Sequence, residues 1–135
     1  MKTIPSPTKT RELVIQTLYQ KNISGDSNTK ILKELKQSQR SLNTEKVSQI
    51  VKDIKILEEK FLETIKKFSN IPSTRIGEIE LSILYLALYE MSQSQLDKPI
   101  IINEAIKLAK KFGQNSSHKF INAVLDKVIK NDSTT

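Results

Sequence analysis

Between Lys110 and Phe120 the chain reads KKFGQNSSHKF, and this stretch gathers residues whose types and spacing could do chemistry. Lys110 and Lys111 fall in the last turn of one predicted helix, Gly113 follows it, and Ser116, Ser117, His118 and Lys119 open the next. The first turn of a helix has N–H groups without helical partners and the positive end of the helix dipole, so a junction of this kind, with lysines beside it, can receive an anion. The reading that the residues alone favour is that these serines merely cap the helix, with His118 as an exposed first-turn residue. Phe120 is open in the same way: it is either a core ring or a partly exposed one on which a base can stack.

Other chemistries lack their residues. Zero cysteines exclude disulfides, thiolate zinc sites and cysteine nucleophiles, and the single histidine, His118, cannot make a metal cluster alone. There is no glycine-rich phosphate loop, no Ser/His/Asp order with a supporting motif and no metal-ligand spacing. No catalytic residue, cofactor or metal is therefore expected. The densest acidic cluster, Glu58, Glu59 and Glu63, is interleaved with Lys55, Lys60, Lys66 and Lys67 at ion-pair spacing and reads as a solvated helix face.

The net charge of +7 is placed unevenly. Residues 1–25 carry Lys2, Lys9, Arg11 and Lys21 against Glu12, residues 97–135 carry seven lysines against four acids, and the middle is nearly neutral. Cations at both ends suit a polyanion such as RNA, whose neutralised phosphates release counterions; they suit a lysine-rich surface kept for solubility equally well. Met1 to Thr10 has no apolar signal region, and the longest apolar run, Ile83 to Tyr89, is too short for a bilayer, so the expectation is a soluble, cytoplasmic chain with no membrane partner.

Helices must position these groups. A chain of 135 residues makes one domain, here 1–135, and 3 Gly and 4 Pro with 27% charged beside 37% apolar residues favour helix. Ser6 as cap and Pro7 at the first helical position open a helix over about Pro7 to Lys21, with Leu13, Val14, Thr17 and Leu18 on one face, broken by Asn22 to Asn28. A weaker pattern (Ile31, Leu32, Leu35) ends near Arg40 to Asn43. Val47, Ile50, Ile54, Leu57, Phe61, Ile65 (or Thr64) and Phe68 recur at spacings of three and four, and Pro72 stops that helix. Ile76 to Met91 leaves almost no polar face and predicts a buried central helix with Glu78, Glu80 and Glu90 at its ends. Pro99 opens the next, with a stripe of Ile101, Ala105, Leu108 and Phe112. The last carries Ile121, Val124, Leu125 and Val128 before a polar tail from Asn131. The sum is an all-α bundle of about six to seven helices in two packed sub-bundles sharing the 76–91 helix.

The segment Ile102 to Lys127, INEAIKLAKKFGQNSSHKFINAVLDK, resembles the C-terminal signature of the NusB family of transcription antitermination factors, close to INEA, ELAKxFG and SHKFVNGVLDK. Gly77 to Met91, with LALYEM from Leu86, and RELVIQTLY from Arg11 are similar in character and order. The resemblance implies a helical double-bundle fold, binding to the single-stranded boxA element of nascent ribosomal RNA, pairing with NusE, a small-subunit ribosomal protein, and work in an antitermination complex with RNA polymerase. It implies RNA contacts at Lys119 and Phe120, and with them at Ser117, His118 and the N-terminal cations Lys2, Lys9 and Arg11. NusE contacts are implied at Tyr19, Glu80 and Ser116. Ser116 stands where relatives commonly have an acid, and the N-terminal arm is poorer in arginine, so NusE is expected to supply part of the RNA surface. The competing reading is a protein-interaction or assembly module in ribosome biogenesis, with incidental RNA binding and a homodimer left open.

Overall fold

The computed structural model describes residues 7–24, 44–93 and 95–132; among them five α-helices and one 3-10 turn carry the chain, and no strand occurs. The all-α expectation holds. The helix expected around Ile31 to Leu35, the Ser6 cap and the arm with Lys2 lie outside the described residues. The chain divides into two compact units, Met1–Ile56 and Leu57–Thr135, and the division falls inside a helix later than the first rather than at the 76–91 segment.

In the first unit, α1 (Pro7–Ser24) starts at the expected proline and runs three residues past Lys21. Leu13, Val14, Thr17 and Leu18 are buried as the pattern requires, but so are Thr10, Arg11, Glu12 and Ile15. Burial wraps most of the helix here, where the sequence reading expected one face. Thr17 tolerates it because its hydroxyl donates to the Leu13 carbonyl at 2.8 Å. The helix α2 (Thr44–Phe68) runs from this unit into the second. Val47, Val51 and Ile54 are buried in its first part, and Ile56, 79% exposed, stands on the solvated side.

In the second unit, Phe61 and Ile65 continue the buried stripe of α2, so the choice between Ile65 and Thr64 falls to Ile65. Thr64 instead returns its hydroxyl to the Lys60 carbonyl. The acidic cluster behaves as a solvated face, with Lys66 pairing Glu63 at 3.7 Å. Ser69 ends α2: its hydroxyl accepts from the Ile71 N–H at 3.1 Å and donates to the Ile71 carbonyl at 2.7 Å. Pro72 then extends the chain into the 3-10 turn Ser73–Arg75.

Three helices follow: α3 (Glu78–Gln93), α4 (Lys98–Phe112) and α5 (Ser117–Asp132). Each packs on the other two. The apolar helix α3 is buried without interruption from Ser82 to Leu88, as a helix lacking a polar face must be, with Glu78, Glu80 and Glu90 at its ends. Ile101, Ala105, Leu108 and Ala109 of α4 are buried, as are Ile121, Val124, Leu125 and Val128 of α5. Ala109 takes the place in the stripe expected of Phe112, which is half-buried beneath Lys111. The helix α5 also continues through Asn131 and Asp132, where a polar tail was expected. Among the described residues no helix is long and apolar enough to cross a membrane.

Candidate nucleic-acid interface

The junction between α4 and α5 is tight. Lys110 and Lys111 are exposed in the last turn of α4, and the Gly113 N–H closes that helix on the Ala109 carbonyl at 2.8 Å. Gly113 has φ −89° and ψ −176°, extended backbone open to any residue. What demands glycine is space: a Cβ there would lie 2.7 Å from both the Ala109 carbonyl oxygen and the Ser117 Cβ. Gly113→Ala must therefore displace backbone, and about 1–3 kcal/mol of stability is expected to be lost in urea denaturation. Gly77→Ala meets only the mobile end of the Glu80 side chain and is expected to cost less. Equal losses at the two sites would contradict the steric account.

Ser117 is buried and opens α5, which leaves Ser116 in the cap position: its carbonyl accepts from the N–H groups of Lys119 at 3.1 Å and Phe120 at 3.4 Å. The Ser117 N–H bonds the Gln114 carbonyl at 3.0 Å. The N–H groups that the sequence reading offered to an anion are thus largely spent within the chain. The Ser117 hydroxyl does not cap the helix either. It accepts from the Gln114 N–H at 2.9 Å and donates to Glu80 Oε1, tying the loop and α5 to the first turn of α3.

These elements wall a cleft of about 240 Å³. Phe120 lines it with a half-buried ring, so the open choice between core and exposed ring resolves to an edge position between them. Ile71, Arg75, Gly77 and Glu80 line it too, with Gln114, Ser116 and Ser117. Arg75 is exposed, and among the described residues no carboxylate pairs with it. A ring and a guanidinium lining one opening can take a stacked base with its phosphate.

Of the residues expected at a site, Glu80, Ser116, Ser117 and Phe120 meet in this cleft. Lys119 is exposed and His118 half-buried, both on α5 away from the cleft lining. In the first unit, Lys9 is exposed and Tyr19 is 37% exposed. Arg11 is only 9% exposed and has partners within the chain, on a helix buried around most of its circumference. Sequence reasoning missed Arg75, Gln114, Ile71 and Gly77. Arg75 left a usable signal, as one of three arginines in a lysine-rich chain and set in the polar turn before the buried helix.

Residues 8–130 match the model of the NusB family. The transcription antitermination protein NusB of Aliarcobacter butzleri (strain RM4018) is 34% identical over 91% of this chain and 96% of its own length. Among solved structures, T. maritima NusB superposes with a TM-score of 0.83 at 26% identity, covering 96% of this chain and 93% of that one. The same fold occurs in the crystal structure of antitermination factors NusB and NusE in complex with dsRNA, at a TM-score of 0.79 and 22% identity over 92% of this chain and 96% of that one.

Proposed function

The chain belongs to the NusB family, and on that premise we propose that it is a non-enzymatic, RNA-binding transcription antitermination factor, acting as one domain over 1–135 in the cytoplasm. It binds boxA-like single-stranded RNA together with NusE and supports ribosomal RNA transcription within an RNA polymerase antitermination complex. The relatives' name, and the solved complex of a NusB with NusE and RNA, support this reading. The observation that carries it is the cleft whose lining includes both the Phe120 ring and the exposed Arg75, with which no carboxylate pairs among the described residues. NusE meets Tyr19, Glu80 and Ser116; RNA meets Lys2, Lys9, Ser117, His118, Lys119 and Phe120.

Binding of a boxA RNA with and without NusE is the test. Phe120→Ala is expected to weaken binding by ~1–3 kcal/mol, the worth of one base stacked on an aromatic ring. Unchanged affinity would remove the stacking role. Lys9→Ala is expected to flatten the dependence of log affinity on log salt by about 0.7, one phosphate contact on a single strand. Arg11→Ala is expected to lower folding stability and leave that slope in place, because its side chain is buried.

A further inference from the structure

Lys127 is held in a different way from the lysines that pair with acids. Lys66, Lys107 and Lys130 each meet a carboxylate, of Glu63, Glu104 and Asp126, at 3.7, 3.5 and 3.0 Å. The Lys127 Nζ instead donates to Asn70 Oδ1 at 3.2 Å, across 57 residues of chain. An amide oxygen has no net charge, so the ammonium is held while its charge stays whole, and among the described residues no carboxylate pairs with it. An ammonium has three N–H donors; Asn70 takes one, and two are left for the oxygens of a ligand. Holding also removes in advance part of the rotamer freedom that a lysine side chain loses on binding.

The place of this cation gives it a ligand. Asn70 sits in the turn that ends α2, shaped by the two hydrogen bonds between Ser69 and Ile71, and Ile71 lines the cleft. On α5, Lys127 follows Phe120 by two helical turns, so the two residues share one side of the helix about 10 Å apart along its axis. That distance is about three nucleotides of a strand at stacked spacing, and fewer when the strand is stretched. Lys127 therefore stands next to the cleft and outside its lining, within reach of a strand that enters it. Resting on the RNA-binding reading above, we propose that Lys127, held by Asn70, is a further phosphate-binding residue. A single strand with one base on Phe120 lays a phosphate further along on the Lys127 ammonium, and the length of RNA recognised exceeds what the cleft encloses.

Three variants separate the charge, its holder and the general surface charge. The measurement is affinity of the full chain, saturated with NusE, for a boxA RNA over a range of salt, with urea midpoints checking that each variant folds. Lys127→Gln removes the charge and keeps an amide that can donate to Asn70. It is expected to flatten the dependence of log affinity on log salt by about 0.7, one phosphate contact on a single strand. At low salt it is expected to weaken binding about two- to fivefold. Asn70→Ala keeps the charge and removes the holder, so the slope is expected to stay and the affinity to fall less than about twofold. Lys130→Gln, at a lysine already paired with Asp126, is expected to change the slope clearly less than Lys127→Gln. Equal changes at Lys127 and Lys130 would show diffuse attraction and overturn the proposal. So would an unaltered slope in Lys127→Gln, including the case in which that variant loses affinity for NusE instead; either result leaves the RNA-binding reading intact. Absence of RNA binding by the wild-type chain removes that reading and the proposal with it.

Discussion

Leu84→Ala is expected to cost about 3–5 kcal/mol of folding stability, read as a lower urea midpoint with helical content as the signal. Leu84 is fully buried in the middle of α3, the helix on which both α4 and α5 pack. The loss has two parts: transfer of the missing methyl and methylene groups, and a cavity that the surroundings only partly fill. Collapse is poor here because Ser82 to Leu88 are buried on every side of the helix, and no exposed flank can move inward. Natural domains hold about 5–15 kcal/mol in total, so the variant would be near the edge of folding. Ile56→Ala supplies the contrast, since a residue 79% exposed is expected to change stability by no more than about 0.5 kcal/mol. Similar costs at the two positions would refute the picture of α3 as the buried helix of its unit.

Stability is also expected to fall between pH 10 and 12 through Tyr85. This phenol is 5% exposed, and burial, followed by the carboxylates of Glu58 and Glu78, pushes it up to about 12 from an ordinary 10.0. The fold thus prefers the neutral hydroxyl. Below pH 10 both folded and unfolded chains hold the proton, and the contribution is fully present. Above pH 10 the unfolded chain ionises first and gains free energy that the folded one cannot, until the folded phenol titrates near 12. Two pKa units correspond to about 2.7 kcal/mol at most. Alkali acts on the whole chain, so the informative quantity is the difference between the wild-type chain and Tyr85→Phe, followed by urea denaturation at about pH 9, 10, 11 and 12. The phenylalanine variant is expected to lose less stability as pH rises. Parallel curves would show that Tyr85 ionises equally well in both states.

What the sequence disclosed follows from which forces act locally. The near-absence of a polar face over 76–91, the three-and-four spacing from Val47 to Phe68 and the stop at Pro72 are local properties of the sequence, so they could be read before any packing was known. The low exposure of Arg11 was not legible, because its charge is visible in the sequence and the burial of α1 around most of its girth is not. Ser117 misled differently. A serine at a helix start is ordinarily a cap, and only the approach of Glu80, 37 residues away, turns its hydroxyl elsewhere. Arg75 was overlooked for the same reason: its chemistry depends on lining one cleft with Phe120, 45 residues away, which the docking of α3 on α5 brings about. Gly113 was recognised as a helix stop, but its requirement is the crowding of Ala109 and Ser117, which no backbone preference encodes.

The helices α3, α4 and α5 are consecutive along the chain and pack pairwise, which bears on the order of events when the protein folds. Contacts between sequence neighbours close short loops, and domains dominated by them fold in roughly microseconds to milliseconds. The cleft draws on the turn before this trio and on its first and last members, so its geometry is complete as soon as the three have docked. The part of the recognition surface that lies in this cleft is built from one continuous stretch of chain.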